Sequence, residues 1–510
     1  MASFEKGTPV SRQRTFTSRI DDEESIINGG TPQNPVQDQS SLNSLPEKRS
    51  RRIADTEGLY RFWRRFTRHG KKTIGVKESL HAIVFSSWLN VFLVFIPLAW
   101  VGHFYTRHAW PHELTFTLCF LAIVPLERLF DYGGEQMAFY CGKDLGDLIV
   151  VSLNNVVEAT LAIILLKKCE LKLLQSTIIG VIVLHLLLIP GTAFITGGAR
   201  ILEQELHPHL VQLNHSLLTI GVMSLLLPAA FFAALDRGAA ADLTPGAAAS
   251  IINDTTRHSL LQISRGLAVI LLLVYVCSRI FLHNPPGDDN ALRQHPLAPA
   301  ALKHEEEHLI ATDPEVNQWV CIVMILISIG IMAATAEWLV ESIEFVREEG
   351  HIGEEWFGLI LLPIVSFAAD GFVAIMFFIR YMIRHIFNQP APPVLLAKAR
   401  AIDLSIQFTL FWMPFIVLLG WWTDKPMLLL FDFFEVAVLL GSCFIVNYVT
   451  ADAKTNWAEG YAMVSFYLMI ALCAWFYTGQ TEIEILLACH ESIEEALIKA
   501  ASGVVEAHHG

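Results

Sequence analysis

The sequence predicts an all-α polytopic membrane protein with about eleven transmembrane helices, and three observations carry that expectation. Of 510 residues, 53% are apolar and only 17% are charged, whereas ordinary soluble domains carry roughly 25% charged residues. The mean hydropathy is +0.46. The apolar residues are gathered into long runs, and roughly 20 such residues cross a bilayer as a helix. The short alternating strands of a membrane β-barrel are not seen.

The elements follow in order along the chain. Residues 1 to about 55 are rich in Ser, Thr, Asn, Gln, Pro and charge, which reads as a disordered tail, and no secretory signal peptide precedes it. The stretch Tyr60-Arg61-Phe62-Trp63-Arg64-Arg65-Phe66 mixes aromatics with Arg. It suits an interfacial helix, or a plain positive-inside anchor with the N-terminus in the cytosol. Apolar runs then fall at 83–105, 114–130, 145–166, 173–195, 216–235, 263–283, 317–340, 356–380, 402–420, 427–449 and 458–478. These divide the chain into a basic tail (1–80), a first half (81–283), an acidic linker (284–315), a second half (316–480) and a C-terminal tail (481–510). Counting spans from a cytosolic N-terminus puts the linker in the cytosol. It also puts 384–400, with Arg384, His385, Lys398 and Arg400, there, as the positive-inside rule prefers. Lys167, Lys168 and Lys172 fall on the far side, against that rule. Glu482 and Glu484 among Ile and Leu give the C-terminal tail an amphipathic, acidic helix.

Several functions are excluded. Residues 1–80 hold 15 basic and 10 acidic residues, leaving 21 basic and 40 acidic in the remainder. An acidic body argues against nucleic acid as a partner. Membrane lipid is the partner the spans require. No nucleophile–base or phosphate-binding motif points to an enzyme, and no cofactor motif occurs. The eight cysteines form no CxxC pair or dense cluster and read as small core residues. His304 and His308 sit four apart in the linker, but without a third ligand they read as part of a solvated acidic stretch. Asn253-Asp254-Thr255 forms a glycosylation sequon on the non-cytosolic side, of a kind common by chance.

Polar groups inside spans are costly unless they pair or face a polar cavity, so they are the functional candidates. The third run holds Asn154-Asn155-Val156-Val157-Glu158, which puts the Asn155 amide and the Glu158 carboxylate on one helix face. The eighth holds Ser366-Phe367-Ala368-Ala369-Asp370-Gly371, again with one carboxylate in an apolar run. Glu135 closes the second run, Glu337 interrupts the seventh, and Ser405 and Gln407 lie in the ninth. Two separated stretches with one carboxylate each hint at an internal repeat, which in transporters places the site near the bilayer midplane. Hard cations such as Ca²⁺ want oxygen ligands. A desolvated carboxylate also favours its neutral form and so exchanges protons. These needs together fit a cation/proton antiporter.

The sequence also resembles the vacuolar Ca²⁺/H⁺ exchangers of fungi and plants, within the cation/Ca²⁺ exchanger superfamily, over residues 80 to 480. The likeness rests on Ser87-Trp88-Leu89-Asn90-Val91, Glu203-Gln204, Gln212-Leu213-Asn214 and Ser224-Leu225-Leu226-Leu227-Pro228 in the first half. In the second half it rests on Phe357-Gly358-Leu359-Ile360-Leu361-Leu362-Pro363, Asn447-Tyr448 and Thr455-Asn456-Trp457-Ala458-Glu459-Gly460. The resemblance implies one peripheral helix plus two inverted five-helix repeats in a vacuolar (organelle) membrane, with Ca²⁺ and H⁺ as the transported ions. Glu158 and Asp370 would then exchange cation and protons, with Asn155, Ser405 and Gln407 as supporting oxygen ligands. Glu135 and Glu337 become candidates for the proton path or access route.

The family's cation motifs are degraded here. Gly-Asn-Ala-x-Glu reads Asn154-Asn155-Val156-Val157-Glu158, and Gly-Asn-Ala-Ala-Glu-His reads Ser366-Phe367-Ala368-Ala369-Asp370-Gly371. Gly-Ser-x-x-Ser-Asn has become Gly180-Val181-Ile182-Val183-Leu184-His185, and Gly-Ser-Ser-x-Gln has become Asp403-Leu404-Ser405-Ile406-Gln407. A Ca²⁺ site wants about six to eight oxygens, and Phe367 offers none from its side chain. His185 and Asp403 are new polar groups that partly compensate. The alternatives left by these changes are a transport-inactive regulatory relative, or an exchanger selecting Mn²⁺, Na⁺ or K⁺.

Overall fold

The computed structural model describes residues 62–64, 66–67, 74–105, 112–141, 143–198, 203–206, 208–240, 252–283, 313–365, 368, 371, 375–376, 379, 383, 400–489 and 493–494. The N-terminal tail, nearly all of the 284–315 linker with His304 and His308, Asp370 and residues 384–399 therefore lie outside the described residues.

Helices make up almost all of the described chain, as lipid demands of a backbone that must satisfy its own hydrogen bonds. In order they are α1 (Val76–Phe85), a 3₁₀ turn (Trp88–Val94), α2 (Phe95–Tyr105), α3 (His112–Cys141), α4 (Lys143–Asn154) and α5 (Val156–Lys168). Next come α6 (Leu171–Val183), a π turn (Leu184–Leu188), α7 (Ile189–Gly198), α8 (Pro208–Ala240), α9 (Asp254–His283) and α10 (Gln318–Gly350). The remainder are α11 (Glu354–Trp356), continued by a π turn (Phe357–Leu361), α12 (Arg400–Gln407), a third π turn (Phe408–Trp412), α13 (Met413–Trp422), α14 (Phe433–Val449), α15 (Trp457–Trp475) and α16 (Thr481–Leu487). A two-residue antiparallel ribbon pairs β1 (Gln204–Glu205) with β2 (Lys454–Thr455) at one end of the bundle.

Six helical stretches are long and apolar enough to span a membrane, or up to eight if each of two bent pairs is one span. The remaining expected spans fall short of that test for local reasons. Helix α3 carries Glu127, Arg128 and Asp131 together, α14 is 17 residues long, and much of 356–380 is outside the described residues. A side chain braces the first bend. At the first, of 93°, the Asn90 amide donates to the Ile83 and Val84 carbonyls that the break would orphan, at 2.9 and 3.1 Å. The second, of 51°, falls at Asn155.

One apolar core joins residues of α3, α5 to α10 and α12 to α15. Its tightest crossing lies between α6 and the helix starting at Glu354. There Gly180 meets the Leu359 carbonyl and Gly358 meets Ser176, so a Cβ on either glycine has no room. Small residues at such crossings let backbones approach where lipid gives no hydrophobic drive. Phe66 of the aromatic–Arg stretch is buried against Tyr140 and Trp319, so this stretch docks on the bundle through that ring.

The cysteines depart from their sequence reading. Cys119, Cys141, Cys321 and Cys443 are buried as expected, Cys277 and Cys473 are exposed, and Cys169 is disulfide-bonded to Cys489. The bond joins the α5–α6 turn to the segment after α16 across a separation of 320 residues, which spacing along the chain has no means of revealing. As expected of an amphipathic helix, α16 buries Ile483, Leu486 and Leu487 and exposes Glu482 and Glu484.

Candidate functional site: a polar chain at three helix interruptions

The third apolar run breaks at Asn155, whose backbone leaves the helical region at φ −95° and ψ 6°. The break places Glu158 in the first turn of α5, where a helix N-terminus favours an anion. Both side chains are withdrawn from solvent, Asn155 at 0% exposure and Glu158 at 3%. The fourth run is interrupted by the π turn Leu184–Leu188, which carries His185. Its Nε2 lies 3.8 Å from Glu158 Oε1, so the two form an ion pair whenever the imidazole is protonated. The ninth run has the same construction. Ser405 and Gln407 end α12 immediately before the π turn Phe408–Trp412. Such one-turn bulges re-aim side chains within a helix and recur at functional sites.

Hydrogen bonds join these interruptions. The Asn155 amide donates to Gln407 Oε1 at 2.7 Å and, more weakly, to the Leu404 carbonyl at 3.4 Å. The Gln407 amide donates in turn to Ser152 Oγ at 2.9 Å and to the Tyr275 hydroxyl at 3.1 Å. Ser405 donates to the Ile182 carbonyl at 3.4 Å. Asn155 Oδ1 accepts no hydrogen bond although the residue is fully buried. A buried acceptor left open costs about 1–3 kcal/mol, and a cation is the partner that suits a bare carbonyl oxygen beside a carboxylate.

The structure thus bonds Asn155 to Gln407 across helices, with Glu158 in the first turn of α5 beside Asn155 and Ser405 on α12 ahead of Gln407. Asp370 lies outside the described residues, although Gly371 beside it is buried. Among the described residues no group of three or more His, Cys, Asp or Glu is arranged to hold a metal ion. The other two candidates sit elsewhere. Glu135 is exposed on α3, and Glu337 is partly exposed on α10, where it pairs with Lys167 at 3.3 Å. Asp403 is bound by Arg279 at 2.8 Å, and that guanidinium lies 4.9 Å from the centre of the Tyr275 ring. Arg279 went unremarked in the sequence. The signal was the basic residue near the end of the sixth run, complementary to the acidic residue starting the ninth. An apolar groove of ≈ 380 Å³, lined by Met137, Leu148, Ile149 and Ile325 among others, reaches Ser152 at the edge of this chain of bonds.

The fold and site define a multi-span membrane protein with a buried carboxylate and neutral oxygens set at broken helices. The profile of the sodium/calcium exchanger protein family matches residues 111–283 and 320–476, well over half of the chain. The chain belongs to that family. It is 31% identical over 486 residues to the vacuolar calcium ion transporter of Cryptococcus neoformans var. grubii, covering 81% of this chain and 77% of that one. It is 28% identical over 394 residues to the Ca²⁺/H⁺ antiporter of Aphanothece halophytica, covering 77% and 97%. Among solved structures, native YfkE shares the fold with a TM-score of 0.56 at 20% identity, over 76% of this chain and 100% of that one.

Proposed function

We propose that this protein is a Ca²⁺/H⁺ antiporter of the vacuolar membrane, with Ca²⁺ and protons as its transported ions. The observation that carries the reading is the buried Asn155–Glu158 pair with its unfilled Asn155 oxygen, in a chain whose relatives are calcium transporters and Ca²⁺/H⁺ antiporters. Glu158 alternates between holding the cation and holding a proton, and Asp370 supplies the second carboxylate. Asn155 offers its open oxygen directly. Gln407 holds the Asn155 amide in place, and Ser405 braces α12 against α6. Glu135 and Glu337, away from this cluster, serve as access or proton-path residues at the surface. The relatives give no support to the transport-inactive or altered-selectivity readings.

The N-terminal tail lies in the cytosol in this proposal. Three spans then bring the α5–α6 turn to the vacuolar side, and the disulfide at Cys169 supports that placement, because such bonds persist in oxidising compartments and are rare in the cytosol. The test is ⁴⁵Ca²⁺ uptake into vesicles bearing this protein, driven by an imposed pH gradient. Uptake above background that is lost in Glu158→Gln and in Asp370→Asn is the expected result. Background uptake by correctly inserted wild-type protein sinks the proposal.

A further inference from the structure

A second buried polar cluster lies away from the exchange site, at the opposite end of α6 from His185. Lys172 in the first turn of α6 reaches Glu355 of α11 at 2.9 Å and Asp432, the N-cap of α14, at 2.7 Å. Ser176 donates to the second oxygen of Glu355 at 2.6 Å. Asp432 also accepts from the Tyr477 hydroxyl and the Gln480 backbone N–H, each at 3.1 Å. Glu435 completes the group. Its Oε2 accepts from the Asp432 N–H at 3.2 Å, the ordinary work of a capping box, while its Oε1 has no hydrogen-bond partner although the residue is only 1% exposed. The charged groups facing it are Lys172 from α6, Glu355 from α11 and Asp432 from its own helix. Glu354 is engaged separately with Arg347 at 2.8 Å.

Three buried carboxylates thus surround one ammonium. Lys172 lies 2.9 and 2.7 Å from two of them, and the third, Glu435, faces the same ammonium with an oxygen that accepts no hydrogen bond. One ammonium cannot offset three buried carboxylate charges, and uncompensated buried charge is among the costliest features a fold can keep. A proton on Glu435 removes that charge and lets the carboxyl donate into the cluster.

The placement gives the proton a consequence. From Lys172 to His185 is thirteen residues, or about 20 Å of helix. The helix beginning at Glu354 likewise runs on through the π turn Phe357–Leu361, which packs against α6 at Gly180. The cluster therefore clamps together the starts of α6 and of the helix beginning at Glu354, together with α14 and the segment after α15. Opening this end of the bundle requires Lys172 to release Glu355 or Asp432. A third negative charge on Glu435 competes for the same ammonium and loosens both bonds.

We propose that Glu435, with Lys172, Glu355 and Asp432, forms a second proton-binding site, separate from the exchange carboxylates, whose occupancy latches this end of the bundle. The proposal rests on the exchange reading above only for its effect on transport, so its test has two arms. The first is infrared spectroscopy of the purified full-length chain. A protonated-carboxyl band present in wild type and absent in Glu435→Gln is expected, and its absence from the wild-type-minus-mutant difference overturns the proposal whether or not the protein transports Ca²⁺. The second is ⁴⁵Ca²⁺/⁴⁰Ca²⁺ exchange across vesicles with equal pH on both sides. The expected result is that the ratio of alkaline to acidic rates changes by about threefold or more in Glu435→Gln, while Glu435→Asp stays close to wild type. Coincident profiles for wild type and Glu435→Gln overturn the latch. If Glu435→Gln fails to fold, the infrared comparison is made with Glu435→Asp, where an unshifted band overturns the assignment.

Discussion

Replacing Asn155 by Leu keeps the branched, four-heavy-atom shape of the side chain, with bulkier methyl ends, and removes both roles of the amide. The donor to Gln407 is lost, so Gln407 Oε1, in a residue 1% exposed, becomes an orphaned acceptor. Orphaning a buried acceptor costs about 1–3 kcal/mol in soluble proteins. Measured interhelical hydrogen bonds in membranes average only about 0.6 kcal/mol, with a maximum near 1.7. The expected loss is therefore about 1–2 kcal/mol, read as a fall in unfolding free energy in mixed micelles. Gln407→Leu loses this bond and those to Ser152 and Tyr275, and is expected to cost at least as much. The double variant removes both ends of the Asn155–Gln407 bond together, so its cost falls short of the sum of the singles by about 1 kcal/mol. Calcium transport behaves differently, because the bare Asn155 oxygen is missing from the double variant as well. Its KM for Ca²⁺ stays raised even as stability recovers. Additivity of the stability costs within about 0.3–0.5 kcal/mol would refute the proposed joint. Recovery of the KM in the double variant would remove Asn155 from the cation's ligands.

Other outcomes follow from single contacts. Arg279→Gln leaves the partly buried Asp403 without its cation and should lower thermal stability by more than Asp403→Asn with Arg279→Gln together, as thermal denaturation in detergent would record. Gly180→Leu drives a side chain into the Leu359 backbone and should cost at least about 1–3 kcal/mol, seen as a loss of monodisperse protein on size exclusion, while Gly266→Leu, with open space around it, is tolerated. Proteolytic fragments carrying Cys169 and Cys489 should stay linked until reductant is added, and Cys489→Ser should lower the melting temperature. Lys167→Gln breaks a surface pair with Glu337 and should leave the melting temperature within assay error, since exposed pairs contribute about 0–1 kcal/mol.

The membrane class was legible because lipid imposes a one-dimensional rule. A span needs a run of apolar residues, and runs are visible in order along the chain. Asn155, Glu158, Ser405 and Gln407 were legible for the same reason, since a polar group inside such a run is conspicuous wherever it sits. What could not be read was which polar groups meet. Gln407 is 252 residues from Asn155, and Arg279 is 124 from Asp403. Spacing encodes neighbours on one helix face and carries nothing across helices. Glu135 and Glu337 illustrate the limit, because the sequence marks them as charges near spans while only packing decides that they face outward. Lys172, Glu355, Asp432 and Glu435 sit at helix ends, where charge is unremarkable in a sequence. Their burial arises from α6, α11, α14 and the segment after α15 converging on one point, and Cys169 finds Cys489 at the same end of the bundle. Local hydrophobicity thus determined that this chain crosses a membrane and which residues stand out within it. The close approach of helices far apart in sequence, at Gly180 and Gly358 above all, decided which of those residues share a site.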